Sequence, residues 1–402
     1  MKIATRNRSL SQRLLTETVE EDPMYATTVV RNTKPTMPRT RRANRSSFSY
    51  IRTGMRTMLA AAAIAIAATS PARAGAPKQA LWVANGANVV EFSNLSAGTH
   101  DEKPLVELNS AVFGAPQGVV FDASNNLWVI DGGNGSTIAP SIEEFTETQL
   151  KNLKKVPTPT PNVQITSTDL VFPQQAVFDT AGDMWVSDNG ANAVFVITPS
   201  QLAAGGDISF TTTIESDPAF SGPLGIVLHD GNLYIANNAS TTIYEFNSSH
   251  LPAIGSGVTS LVPDVILDDD GAGSIQAPWA LVFDTAGDLW SSNANPPNTL
   301  VKFGPSQITM SGDPTPLTTI SPFDEKVGKK STDSTLVAPN GIAFDEKGNL
   351  FAISSAAPFG VARFGGVEQA SGGSVKPFSF IVGNRTTLNA PAGDNFGTEI
   401  KH

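Results

Sequence analysis

Apolar and polar positions alternate along this chain in a phrase that returns at intervals. Residues 277–293 read APWALVFDTAGDLWSSN, 115–131 read APQGVVFDASNNLWVID, 172–188 read FPQQAVFDTAGDMWVSD and 338–354 read APNGIAFDEKGNLFAIS. Residues 222–237, GPLGIVLHDGNLYIAN, repeat it one residue shorter. Each copy predicts two short β-strands: an apolar run after a proline, a tight turn, and a second run ending on Asp, Asn or Ser. Gly182, Gly231, Gly287 and Gly348 stand where the turn needs positive φ. Asn125 stands there in the 115–131 copy, and Asn is the next-best tolerated residue.

A third alternating run follows in every unit: Val90-Glu91-Phe92, Glu143-Glu144-Phe145, Val194-Phe195-Val196, Tyr244-Glu245-Phe246, Val301-Lys302-Phe303 and Ala362-Arg363-Phe364. Next comes a polar phrase closed by Leu or Ile, as in Thr148-Gln149-Leu150 and Ser200-Gln201-Leu202. It predicts one helical turn, with Thr148 or Ser200 as cap and the aliphatic residue turned inward. A Thr/Val-rich outer strand, 208–214 for example, leads back to the next proline.

The repeat prolines are Pro116, Pro173, Pro223, Pro278 and Pro339, separated by 57, 50, 55 and 61 residues. A period near 50 points to a propeller or solenoid. Two half-units remain. Leu81-Trp82-Val83-Ala84-Asn85 has no proline strand before it, and Ala390-Pro391-Ala392-Gly393 has no Leu-Trp-Val after it. Joined, they make a sixth unit, as ring closure demands. The expected fold is all-β: a six-bladed β-propeller of four-stranded antiparallel blades, closed by a C-terminal strand joining the N-terminal blade.

Composition places this domain within a longer chain. Residues 1–74 hold 13 of the 27 Lys and Arg but only 4 of the 37 Asp and Glu, which leaves 14 basic and 33 acidic residues in 75–402. So acidic a domain repels phosphate backbones, and nucleic acid is not an expected partner. The absence of cysteine excludes disulfides and thiol chemistry. Arg52 and Arg56, an apolar run from Met58 to Ala68, and Ala72-Arg73-Ala74 have the order of a secretory signal. The run is too short to span a bilayer, which takes roughly 20 apolar residues. The expected division is 1–54, a disordered basic extension (with Met55 or Met58 as an alternative start); 55–74, a signal peptide; and 75–402, the propeller. The mature chain is expected to be exported to the periplasm or the extracellular space, without a membrane span, as a monomer.

In 338–354 and 222–237 the chain resembles the NHL-repeat family of six-bladed propellers, whose phrase is Pro-x-Gly-Ile-Ala-Val-Asp followed by Gly-Asn-Leu-Tyr-Val-Ala-Asp. The resemblance extends over 75–402 and implies the propeller fold. It implies no single activity, because the scaffold hosts binding modules, lyases and lactonases. The distantly similar senescence-marker/gluconolactonase group draws calcium ligands of the type Glu, Asn, Asn and Asp from the region after the repeat proline. Here those positions hold Gln117, Gln174, Leu224, Trp279, Asn340 and Ala392, with no carboxylate and only Asn340 matching.

Three rings of equivalent residues are candidate sites. Trp82, Trp128, Trp185, Tyr234, Trp290 and Phe351 recur at one place per unit and are expected to be wedges between blades. Asn85, Asp131, Asp188, Asn237, Asn293 and Ser354 end the second strands. They are expected to bond the backbone of the loops that follow them. Asp131, Asp188, Asn237 and Asn293 are the alternative place for a metal, calcium being the ion considered; otherwise no cofactor is expected. The residues after the prolines point toward the axis, where Gln117, Gln174, Trp279 and Asn340 form the candidate ligand-binding ring. His100, His229, His250 and His402 fall in unrelated places, so a histidine-held zinc is not expected, and no serine triad is recognisable. Asp268-Asp269-Asp270-Gly271 reads as a solvated loop and 323–330 as an exposed excursion. The expected function is non-enzymatic: an exported binding or scaffold module using an end face around the channel, with a protein, small molecule or glycan as ligand. The alternatives are a lactone or ester hydrolase with a carboxylate-poor site, and a periplasmic carbohydrate-binding protein using Trp279.

Overall fold

Each repeat proline opens the innermost strand of a sheet, and six sheets follow one another along the chain. In this computed structural model residues 79–93, 96–327 and 331–398 are described. The readings made above for 1–54 and 55–74 lie outside the described residues. Blade 2 is representative: Pro116–Phe121, Leu127–Asp131, Ser141–Phe145 and Val163–Thr166 pair antiparallel in that order, from the axis outward. The inner strands of blades 3 to 6 are Pro173–Phe178, Pro223–His229, Pro278–Phe283 and Pro339–Phe344. Blade 1 is composite. Pro391–Thr398 pairs with Gln79–Asn85, and Asn88–Phe92 and Val106–Leu108 complete the sheet. The fold is therefore a six-bladed β-propeller closed by a C-terminal strand. Among the described residues no helix is long and apolar enough to cross a membrane.

Local chemistry explains the punctuation. The turn glycines Gly182, Gly231, Gly287 and Gly348 have φ of 87°, 82°, 80° and 74°, and Asn125 has 62°. The helical turns are capped two residues earlier than expected. Thr146 and Thr198, not Thr148 and Ser200, are the caps, in each case of a capping box closed by Gln149 or Gln201. Leu150 and Leu202 are buried, as the pattern implies. The outer strand expected over 208–214 runs from Thr212 to Ser216. The 323–330 excursion begins a hairpin in which Asp324–Val327 pairs with Ser331–Ser334.

The blades are glued by their shared faces. All six wedge aromatics are at most 5% exposed. Trp128 of blade 2, for instance, lies in one cluster with Met184 and Val186 of blade 3. A buried indole of this kind removes some 200 Å² from water, worth about 5 kcal/mol at 25 cal/mol per Å².

Blades are also laced at their rims. Gly206–Asp207, in the chain of blade 3, pairs parallel with the outer strand of blade 2. Gly257–Leu261 does the same for blade 3, Gly373–Ser374 for blade 5 and Gly98–His100 for blade 6. Gly312 bridges to Leu267 of blade 4 through hydrogen bonds with Ile266 and Asp268, and a single bond from Asn109 to Pro157 serves blade 1. An exposed sheet edge is an aggregation template, and here each edge is covered by the following blade.

Candidate functional site

The residue after each repeat proline is set apart by a β-bulge. Pro116 lies opposite Asp131, but the next partner of the pair Gly118–Ile130 leaves Gln117 without an opposite residue. Gln174, Asn340 and Ala392 are skipped in the same way. In blades 4 and 5 the shift falls within Leu224-Gly225 and Trp279-Ala280. A bulge re-aims a side chain out of the ladder. All six positions, with Gln117, Gln174, Trp279 and Asn340 among them, thus gather at the end of the molecule where the second strands finish.

The glycine next in line lets the inner strands crowd together. A Cβ on Gly118 would stand 2.5 Å from the Gln174 carbonyl oxygen, and one on Gly393 2.6 Å from that of Gln117. Gln117 and Trp279 are half-buried, and Gln174 and Asn340 are buried. Gln117 Nε2 donates to the Ala115 carbonyl at 3.0 Å, and Asn340 Nδ2 to that of Pro391 at 3.1 Å. Asn340 Oδ1 is buried without a hydrogen-bond partner among the described residues.

Phe172 adds an apolar element. Its ring, 39% exposed, would lie 2.6 Å from a Cβ on Gly132, and that same Cβ would lie 3.2 Å from Gln117 Cγ. Val171 beside it is 54% exposed. A signal for Phe172 was present in the sequence, since the residue before the repeat proline is Ala or Gly in every other unit.

The polar ring at the ends of the second strands is bound up in backbone. Asp131 accepts N–H groups of Gly114 at 2.8 Å, Ala115 at 3.0 Å and Gly133 at 2.6 Å. Burial raises its carboxyl above the usual range, against the lowering effect of these amides. Asp188 accepts from Val171, Phe172 and Ala191, each at 2.9 Å. Asn293 accepts from Gln276 at 3.0 Å and donates to the Ser274 carbonyl and Thr299 Oγ1. Asn85 and Asn237 accept from Asn389 and Ser221, and Ser354 from Val337. The main tie in every blade is to the connector that precedes the inner strand. Only Asp131 and Asp188 also accept backbone N–H groups of the loop that follows, the arrangement expected for all six, while Asn293 and Asn85 reach side chains there, Thr299 Oγ1 and Asn88 Oδ1.

A second set of aspartates pins the opposite end. Asp122, Asp179 and Asp284 close the Phe-Asp phrase. Each accepts two turn N–H groups on Oδ1 and the wedge indole Nε1 on Oδ2, the latter at 3.1, 3.0 and 3.1 Å. The inner strands also enclose an axial cavity of about 350 Å³, lined in part by Gln175, Asn395 and the backbone of Gly118 and Gly393.

Glu143 breaks the pattern of blade 2. Its equivalents facing the preceding blade are Val90, Phe195, Tyr244, Val301 and Ala362. It is fully buried beside Ser141 and Gln164, and burial, with the nearby Asp131 charge, holds its carboxyl well above the usual range.

The histidines are dispersed. His229 stacks on Phe283 at 3.9 Å, His250 pairs with Asp264 at 2.7 Å, and His100 contacts the Ser96 and Ala97 carbonyls. Asp269 and Asp270 accept amides of their own loop, from Ala272 to Ile275. Among the described residues no three His, Asp or Glu side chains are grouped as a metal site.

Solved structures share the architecture. A chain in a nidogen/laminin complex is similar at 15% identity and a TM-score of 0.50, covering 79% of this chain and 98% of its own. A protein of unknown function from Bacteroides caccae is similar at 10% identity and 0.50, covering 81% and 100%. A putative 6-phosphogluconolactonase from Bacteroides fragilis is similar at 11% identity and 0.46, covering 79% and 97%. At these identities the two likenesses at a TM-score of 0.50 are ones of fold alone. No protein-family model matches the sequence, and no curated protein matches it significantly.

Proposed function

We propose that the chain is an exported, non-enzymatic binding module whose ligand docks on the end face carrying the bulge ring. The observation behind this is the bulge itself, which sets Gln117, Gln174, Trp279 and Asn340 at one end of the inner strands, with exposed Phe172 next to Gln117. The carboxylates among the residues that end the second strands, Asp131 and Asp188, each already hold three backbone amides. Amide and aromatic groups without free charge suit a neutral ligand, either a protein loop or a glycan. A propeller of this fold in a nidogen/laminin complex is a precedent for protein binding. Export follows from the signal-like segment 55–74.

The test is binding to a glycan array and to immobilised extracellular proteins, comparing the native chain with Trp279→Ala and Phe172→Ala. Loss of a signal in either variant, with an unchanged melting temperature, supports the end face. Unchanged profiles overturn it.

A second reading, a lactone or ester hydrolase using calcium, has one observation in its favour: the unpartnered Oδ1 of Asn340, the position that matches the ligand type of the gluconolactonase group. Native mass spectrometry with and without chelator separates the two. A divalent ion removed by chelator, together with lactone hydrolysis abolished in Asn340→Ala, would replace the binding-module reading.

A further inference from the structure

The closing strand Pro391–Thr398 departs from the other five inner strands. Three residues after the proline they carry Val119, Ala176, Ile226, Leu281 and Ile342, while the closing strand carries Asp394. Its register leaves no doubt of the equivalence: Asp394 faces Val83 as Val119 faces Val129. Asp394 therefore enters the wedge between blades 6 and 1, whose buried cluster includes Leu81, Val83, Phe351 and Ile353.

Gly341, the glycine that follows the repeat proline as Gly118 and Gly393 do, stands against it: a Cβ there would come 2.5 Å from Asp394 Oδ1 and 3.3 Å from the Asp394 amide nitrogen. Both carboxyl oxygens are buried and accept no hydrogen bond from any other described residue, the residue's own amide being the one group that offsets the burial. The strands packed against Pro391–Thr398 are Gln79–Asn85, Pro116–Phe121, Pro339–Phe344 and Leu350–Ser354. None of the four contains an Asp, Glu, His, Lys or Arg, and Asp394 is the only such residue in its own strand. Nothing there compensates a negative charge.

We propose that the closing strand is a proton-dependent latch: with Asp394 in its acid form the ring is shut, and loss of that proton releases Pro391–Thr398 from blades 1 and 6. An isolated carboxylate cannot remain in an apolar wedge, so ionisation is coupled to local opening, where water reaches the oxygens. Burial accordingly holds this carboxyl well above the ordinary range. The sign follows. The shut state keeps the proton more tightly, so closure is strongest below the ordinary carboxylate range near pH 4 and weakens as pH rises through the raised value. In that window the opening equilibrium grows about tenfold per pH unit. Because the strand is one of six walls of the axial cavity, its release also opens that cavity.

The test is hydrogen exchange of the full chain between pH 5 and 9, read by mass spectrometry and corrected for intrinsic exchange. Peptides covering Pro391–Thr398 should lose protection as pH rises in the native protein, by up to about tenfold per pH unit until the raised value is passed, while those covering Pro116–Phe121 should not. Asp394→Val, which supplies the residue of blade 2, and Asp394→Asn should both flatten the dependence, and the valine variant should be more protected at every pH. A native closing strand whose protection is independent of pH overturns the latch. So does a variant that keeps the native slope.

Discussion

Asp284→Ala removes three hydrogen bonds at once. Its Oδ1 takes the Ala286 and Asp288 amides at 2.9 and 3.0 Å, and its Oδ2 takes Trp290 Nε1 at 3.1 Å. Trp290 is fully buried, so its N–H would be left without a partner, a loss of about 1–3 kcal/mol. The turn amides can rehydrate, so losing their bonds costs about 1 kcal/mol each, the central value for an ordinary hydrogen bond. The expected loss is about 3–5 kcal/mol. Asp284→Asn separates the contributions: its carbonyl oxygen still serves the turn, but its NH₂ meets the indole N–H donor to donor. It should lose only the indole share, about 1–3 kcal/mol. Urea unfolding followed by tryptophan fluorescence would report both as shifts of midpoint at constant slope. In the Trp290→Phe background the effect of Asp284→Asn should nearly vanish, giving a coupling of about 1–3 kcal/mol. A loss under about 1 kcal/mol for Asp284→Ala would refute the reasoning. Blade 1 is a natural comparison: Gly397 replaces the aspartate, and Trp82 Nε1 is buried without a partner among the described residues.

Gly118→Ala puts a Cβ 2.5 Å from the Gln174 carbonyl oxygen and should cost about 1–3 kcal/mol by calorimetry, whereas an unchanged melting temperature would show that the inner strands have room. Deleting residues 390–402 removes the inner strand of blade 1, which should lower the melting temperature and expose dye-binding apolar surface; unaltered melting would mean that closure is not by this strand. Glu143→Gln should become more stable relative to the native protein as pH rises. The raised Glu143 carboxyl stabilises in full below the ordinary carboxylate range and loses that contribution as pH climbs through the raised value. Parallel melting curves from pH 4 to 8 would contradict that.

Much of this architecture is legible in the repeat, and the limits of legibility are local. Gly182 and Asn125 announce the hairpin because few residues accept their φ. The split blade is visible because Leu81–Asn85 and Pro391–Gly393 are complementary halves of one phrase. The helix caps were misplaced because Ser and Thr are dense there, and the discriminating signal is Gln149 or Gln201 three residues after the true cap. The rim strands were invisible, since two residues such as Gly206–Asp207 have no alternation to detect. The bulge at Gln117 was equally hidden: register belongs to the pairing of two strands, and one strand's pattern does not contain it.

A repeat fold offers its own control, because each position is seen six times. Residues that obey the repeat have structural explanations here. The wedge indoles fill the space between blades, the Phe-Asp aspartates hold those indoles, and the second-strand Asp and Asn residues tie down connectors. What the scaffold does not require is concentrated in the exceptions: Trp279 and Phe172 at the bulge end, Glu143 in blade 2, and Asp394 in the closing strand. Two of these are solvent-reaching and aromatic on one end face, and two are buried carboxyls at places where the other blades carry no charged side chain. The first pair bears on what the molecule touches, and the second on how firmly its ring is held at a given pH. Substituting the residue of a neighbouring blade, as in Asp394→Val, removes the exception while keeping the fold's own solution for that place, so a change in binding or pH response can be assigned to the exception itself.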